Sequence, residues 1–214
     1  MRILGINCMN HDAAMAVVDG TQILWAAHAE RYSKVKNDHF LNQKIVNEAM
    51  TYGPFDKVVY YEKPLLKKTR QIYAGQYKLG LSYTEMPQWH LDHFGIKIDE
   101  YVKHHDSHAA AGYFTSPFKD AVILTVDAIG EWDTMSISVA CGNEIIRKET
   151  IKYPHSLGIL YSAFTHRCGL KPAEEEYILM GMAAYGEPKY KHDIYNDFVQ
   201  QNPFRLKQNL HAGL

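Results

Sequence analysis

Two stretches decide the fold: residues 2–29, RILGINCMNHDAAMAVVDGTQILWAAHA, and residues 121–151, AVILTVDAIGEWDTMSISVACGNEIIRKETI. Each reads as strand, polar loop, strand, tight turn, strand. In the first the strands are Arg2 to Asn7, Ala13 to Val18 and Gln22 to Ala29, with Asp19-Gly20 as the turn. An Asp-Gly between apolar runs is a strong hairpin signal. In the second they are Ala121 to Asp127, Thr134 to Cys141 and Glu144 to Ile151, with Gly142-Asn143 as the turn. Gly20 and Ile23 match Gly142 and Ile145 at one offset, and Gly5-Ile6-Asn7 matches Thr125-Val126-Asp127 at an offset two residues shorter. The repeat is one of layout more than of identity.

Helices are expected after each meander. Leu41, Ile45, Val46 and Ala49 have helical spacing over Leu41 to Tyr52, and Gly53-Pro54 ends the pattern. KVVYY at 57–61 reads as a short buried strand, Tyr101 to His104 as another, and SHAAAGYF at 107–114 as a helix. Leu157 to Cys168 reads as an amphipathic helix and Tyr177 to Tyr185 as a short one. Residues 62–95 are rich in Tyr, Lys and Gln with weak periodicity; a surface loop is the default, a helical excursion or lid the alternative. The expectation is an α/β protein with an actin-like, ribonuclease-H-like duplicated fold. Its first half is 1–118, including the 62–95 excursion. Its second half is 119–214, and it reads as incomplete. The cleft of such a fold is faced by the loops Asn7 to Asp12 and Asp127 to Asp133.

Composition narrows the function. The 214 residues are 46% hydrophobic and 22% charged, which excludes wholesale disorder. A formal net charge of −1 argues against non-specific binding to nucleic acid or anionic membranes. No apolar run approaches the roughly 20 residues that span a bilayer. Three scattered cysteines fit a reducing cytosol.

Four groups of residues carry possible chemistry. In HHDSH at 104–108, His104 and His108 are four apart, so one helical turn puts both imidazoles on one face. Asp127 ends an apolar strand, where a carboxylate is costly to bury without a partner or ion. Two His and one carboxylate suit a non-haem iron, and zinc also accepts that set. His105 is an alternative ligand to either neighbour. In NCMNHDAA, His11 and Asp12 sit where strand one gives way to strand two; His11 there is placed as a base or a donor, or the pair is a surface turn. In AIGEWDT, Gly130 allows close backbone approach to a phosphate or carbonyl beside Glu131, or the segment is a plain hairpin. Glu174, Glu175 and Glu176 open a helix, where the dipole favours acids.

Taken in order, NHDAA, AERYSKVKND, HHDSHAAAGYFTSPF, DAIGEW, GILYSAFTHRCGLKPAEEEY and MGMAAYGEP resemble the O-carbamoyltransferases of nodulation-factor and antibiotic biosynthesis. Their relatives make threonylcarbamoyl-adenosine on tRNA. The resemblance spans Ile3 to Pro188. It implies an actin-like domain that binds a metal, holds carbamoyl-adenylate and transfers the carbamoyl group to an acceptor hydroxyl. The adenylate comes from carbamoyl phosphate and ATP on a YrdC-like domain, which has no counterpart in these residues and is expected on a separate chain or a longer protein. Carried over, His104, His108 and Asp127 are the metal ligands, His11 the catalytic histidine with Asp12 beside it, and Glu176 part of the nucleotide-contacting segment. Arg31 and Lys36 are candidates for phosphate or acceptor contacts. Ala128 stands where the family has Gly, and Ile178 where it has Lys. The acceptor implied is a small hydroxyl-bearing molecule such as a sugar or natural product, in the cytoplasm. A tRNA-modifying transferase and a non-enzymatic nucleotide- or partner-binding remnant are the rival readings.

Overall fold

The computed structural model describes residues 1–213. The chain divides into two compact units, Met1–Ser107 and a second from His108 onward. The division falls after Ser107, inside a helix and short of the expected junction at 118/119.

The first unit opens with β1 (Arg2–Asn7), β2 (Ala14–Asp19) and β3 (Gln22–His28), then a single helical turn, α1 (Glu30–Ser33), and α2 (Gln43–Met50). β4 (Lys57–Tyr60) follows, then α3 (Pro64–Tyr73), α4 (Tyr77–Leu81), α5 (Pro87–Asp92) and β5 (Glu100–Tyr101). The sheet order is β3-β2-β1-β4-β5. β1 pairs antiparallel with β2, and β2 with β3; β1–β4 and β4–β5 are parallel. Alternation sets the buried face: Leu4 and Ile6 on β1 and Met15 and Val17 on β2 are essentially inaccessible. Ile45, Val46 and Ala49 of α2 share that core. Asn42 caps α2, accepting from the backbone N–H of Lys44 and Ile45, which trims the expected Leu41 to Tyr52 helix at its start.

Two expectations are corrected in this unit. Residues 62–95, expected by default as a surface loop, are mostly helical. Pro64 and Pro87 start α3 and α5 at the first turn, where a missing N–H costs nothing. The apolar period is weak because the buried face of α3 is Pro64, Arg70 and Gln71, with Arg70 Nη1 donating to Gln76 Oε1 at 3.0 Å. The strand expected over Tyr101 to His104 stops at Tyr101, and α6 (His104–Phe114) begins three residues before the expected Ser107.

The second unit contains β6 (Asp120–Gly130), β7 (Asp133–Cys141) and β8 (Glu144–Lys152), an antiparallel sheet in the order β6-β7-β8. Gly20 and Gly142 take φ values of +57° and +58° in the two tight turns, so the repeat extends to backbone conformation. Then come α7 (Leu157–Arg167), α8 (Glu176–Ala183), α9 (Lys191–Phe198) and a small ribbon, β9 (Val199–Gln200) with β10 (Arg205–Leu206). The helix expected as amphipathic, α7, buries Ile159, Ser162 and Thr165, a mixed face. Among the described residues this sheet has three strands, and Val122, Leu124 and Ile146 stand exposed on it. The polar loop expected at Asp127 to Asp133 is instead a strand continuation. β6 runs on to Gly130, which pairs with Asp133, with a register irregularity between Val126 and Gly130.

Candidate functional site

α6 is the element that builds the site. Its first turn carries His104 and its second His108, and the helical repeat puts both on one face. Their ligand atoms and that of Asp127 lie within 4.8 Å of one another. His108 Nε2 is 3.9 Å from Asp127 Oδ2. His104 is buried, Asp127 half-buried and His108 exposed, so the donors run from interior to surface. His105 is fully buried and does not belong to the converging group. Two imidazoles and a carboxylate at this separation suit a divalent cation on N/O ligands, with open positions left for other groups.

The strand end that presents Asp127 is tightly held. Asp127 Oδ1 accepts from the Ala128 N–H at 2.6 Å. Ser156, the cap of α7, receives the Ile159 N–H and donates from its hydroxyl toward the carbonyls of Asp127 (3.1 Å) and Ala128 (2.8 Å). Gly158 lies directly against this backbone. A Cβ there would sit 2.6 Å from Ala128 Cα and 2.8 Å from the Asp127 carbonyl oxygen.

Behind His104 lies a carboxylate outside the motifs read from the sequence. Glu62, 3% exposed, lies two residues beyond the end of β4. Its Oε2 is 3.4 Å from His104 Nδ1 and its Oε1 2.8 Å from Lys67 Nζ. Burial opposes its ionisation, but the His104 hydrogen bond and the Lys67 ammonium outweigh that and hold the carboxyl below its usual range. Tyr61 sets its ring against His104, and Ser107 Oγ donates to the Tyr61 carbonyl at 2.8 Å.

The His11 loop belongs to the first unit and is strained. Met9 (φ 69°) and Asp12 (φ 53°) both lie in the left-handed region, at a cost of about 1–3 kcal/mol each. Four hydrogen bonds hold the loop in place. Tyr60 OH donates to the Cys8 carbonyl at 2.6 Å, Met9 N–H to His39, Ala13 N–H to Asp38, and the Asn7 amide to the Asp12 carbonyl. His11 Nδ1 is 2.9 Å from Asp12 Oδ2 on an exposed surface. The pairing engages Nδ1 and leaves Nε2 as the ring's other donor or acceptor atom.

The other candidates are placed differently. Gly130 is buried in β6 without positive φ; the left-handed residue is Glu131 (φ 63°), itself buried. The turn's left-handed backbone thus falls on Glu131 and not on Gly130. Glu176 opens α8, and its Oε1 accepts from Ser162 Oγ and the Ala173 N–H, both at 2.6 Å. Burial works against its charge, but those hydrogen bonds prevail and lower its pKa. It ties α8 to α7. Arg31, mostly exposed, sits 3.5 Å from Glu30, and Lys36 is exposed in the segment after α1.

A mixed α/β chain with a His-His-Asp cluster on a helix and a neighbouring strand end is the class of protein thus defined. Comparison narrows it. A family model described as carbamoyltransferase N-terminus matches residues 96–212, more than half of the chain, including all three clustered residues. The chain belongs to that family. It is 36% identical over 235 residues to an uncharacterised protein of Synechocystis sp., covering 95% of this chain and 38% of that protein. It is 27% identical to nodulation protein NolNO of Sinorhizobium fredii, covering 91% of this chain and 30% of that protein. A shorter match, 26% identical over 101 residues, is to nodulation protein NolO of Bradyrhizobium diazoefficiens. The chain thus spans between about three-tenths and two-fifths of the length of the first two relatives.

Proposed function

We propose that this chain carries the transfer site of an O-carbamoyltransferase, moving a carbamoyl group from carbamoyl-adenylate to an acceptor hydroxyl. The observation that carries the reading is the convergence of His104, His108 and Asp127 within 4.8 Å, inside the segment matched by the family model. The strand order of the first unit, β3-β2-β1-β4-β5 with three antiparallel and two parallel members, supports the ribonuclease-H-like expectation for that half. The second half keeps the same meander.

His11, oriented by Asp12, takes the proton of the acceptor hydroxyl. The acceptor oxygen then forms its bond to the carbamoyl carbon, the bond from that carbon to the phosphate oxygen breaks, and AMP leaves with the electron pair. A divalent ion held by His104, His108 and Asp127, iron in preference to zinc, would supply Lewis-acid polarisation of the carbamoyl carbonyl or the phosphate. Glu131, Glu176, Arg31 and Lys36 are the candidates for contacts to nucleotide or acceptor, with Gly130 next to Glu131 in the chain. The carbamoyl-adenylate is made from carbamoyl phosphate and ATP on a YrdC-like partner or domain, and the acceptor is a small molecule such as a sugar or natural product in the cytoplasm. A net charge of −1 favours such an acceptor over tRNA.

The test supplies preformed carbamoyl-adenylate, iron(II) and a panel of small hydroxylated acceptors, and measures AMP release. Acceptor-dependent release that is lost in His11→Ala supports the reading. Tight adenylate binding without acceptor-dependent release would leave a binding protein instead.

A further inference from the structure

Glu62 is a buried charge with two partners of different kinds. A carboxylate removed from water costs several kcal/mol unless it is paired and hydrogen-bonded. Lys67, on the first turn of α3, supplies the ion pair at 2.8 Å; His104, on the first turn of α6, supplies the contact at 3.4 Å. The same short segment after β4 grips α6 twice more, through the Tyr61 ring against His104 and the Tyr61 carbonyl against Ser107. An imidazole that gives its Nδ1–H to a carboxylate presents Nε2 as its donor atom, and such outer carboxylates fix the tautomer and orientation of metal-binding histidines.

We propose that Glu62 is a positioning residue of the metal centre: its carboxylate, anchored by Lys67, holds His104 Nδ1 so that Nε2 faces a divalent cation. The inference rests on the metal-site reading above. It assigns a purpose to the first helix of the 62–95 segment, which carries Lys67 to the carboxylate.

The probe is cobalt(II), read by chelator competition and by its visible ligand-field absorption in the purified chain. Glu62→Ala should lower cobalt affinity about 10–100-fold and alter the absorption band. Should Glu62→Ala not fold, Glu62→Leu with Lys67→Met replaces the buried pair by apolar groups of similar volume, a change that folds often tolerate. The same loss is expected there. In a His104→Ala background, where binding is already weakened, either change should cost less than about twofold more, because Glu62 acts through His104. A purely structural role would instead add its full cost in that background, and that result overturns the proposal. Wild-type cobalt affinity in the folded Glu62 variants, with His104→Ala defective, overturns it while leaving the metal site standing. Unchanged cobalt binding in His104→Ala would remove both.

Discussion

His108 and His11 lie in one motif each, but the structure surrounds them differently. His108 converges with His104 and Asp127, whereas His11 pairs with Asp12 on a strained loop. His108→Ala should therefore remove most bound divalent metal; full occupancy in that variant, measured by elemental analysis, would sink the ligand assignment. His11→Ala should leave metal content and melting temperature unchanged while slowing carbamoyl transfer by roughly 10²–10⁴-fold in the complete protein. Near-normal transfer would mean that the acceptor is activated elsewhere. Glu62 was legible in principle. It directly follows the apolar run KVVYY, where a carboxylate is costly to bury without a partner. What concealed it was its place at the head of a segment with weak periodicity.

At the junction of β6 and α7, backbone packing sets the position of Asp127. Ser156 joins the helix start to the Asp127 and Ala128 carbonyls, and Gly158 leaves no room for a methyl group. Gly158→Ala should destabilise the protein by about 1–3 kcal/mol through overpacking and weaken metal binding as the strand end shifts. An unchanged melting temperature together with unchanged cobalt affinity would show that α7 moves away freely. The GILYS run was legible as part of a family motif, but its contact with Asp127, about thirty residues earlier, is non-local and invisible to periodicity. α3 hid for the opposite reason: its buried face contains Arg70 and Gln71, so the apolar count on which helix reading depends is low.

Across the chain, the three cysteines report how the fold protects its parts. None is in a disulfide; Cys8 is buried, Cys141 and Cys168 exposed. Burial pushes the Cys8 thiol up to about 12. At pH 8 a thiol reagent should modify the native protein at Cys168 and Cys141 and reach Cys8 only on unfolding; rapid labelling of Cys8 would show that the core of β1 opens. Because the folded pKa lies above the unfolded value near 9, this contribution to stability is intact below about pH 9. It is lost as the pH rises toward 12, since the unfolded chain then releases a proton that the folded chain retains. A Cys8→Ala protein should show a shallower alkaline decline in stability. Among the described residues no helix is long and apolar enough to cross a membrane.

The meanders, their tight turns, the α/β class and the helical His pair could all be read from residue order. Each rests on a short-range rule: alternation along a strand, a Gly that accepts positive φ, or two side chains four apart on a helix. Three-dimensional packing was needed for everything that joins distant segments. It ran β6 through the expected loop to Gly130, gave the left-handed turn to Glu131, and turned 62–95 into helices. It also set Glu62 and Lys67 behind His104 and Gly158 beneath Asp127. Those outcomes depend on which buried charge finds a partner and which backbone can approach another. Such energies belong to pairs of segments far apart in the chain, so no local pattern records them.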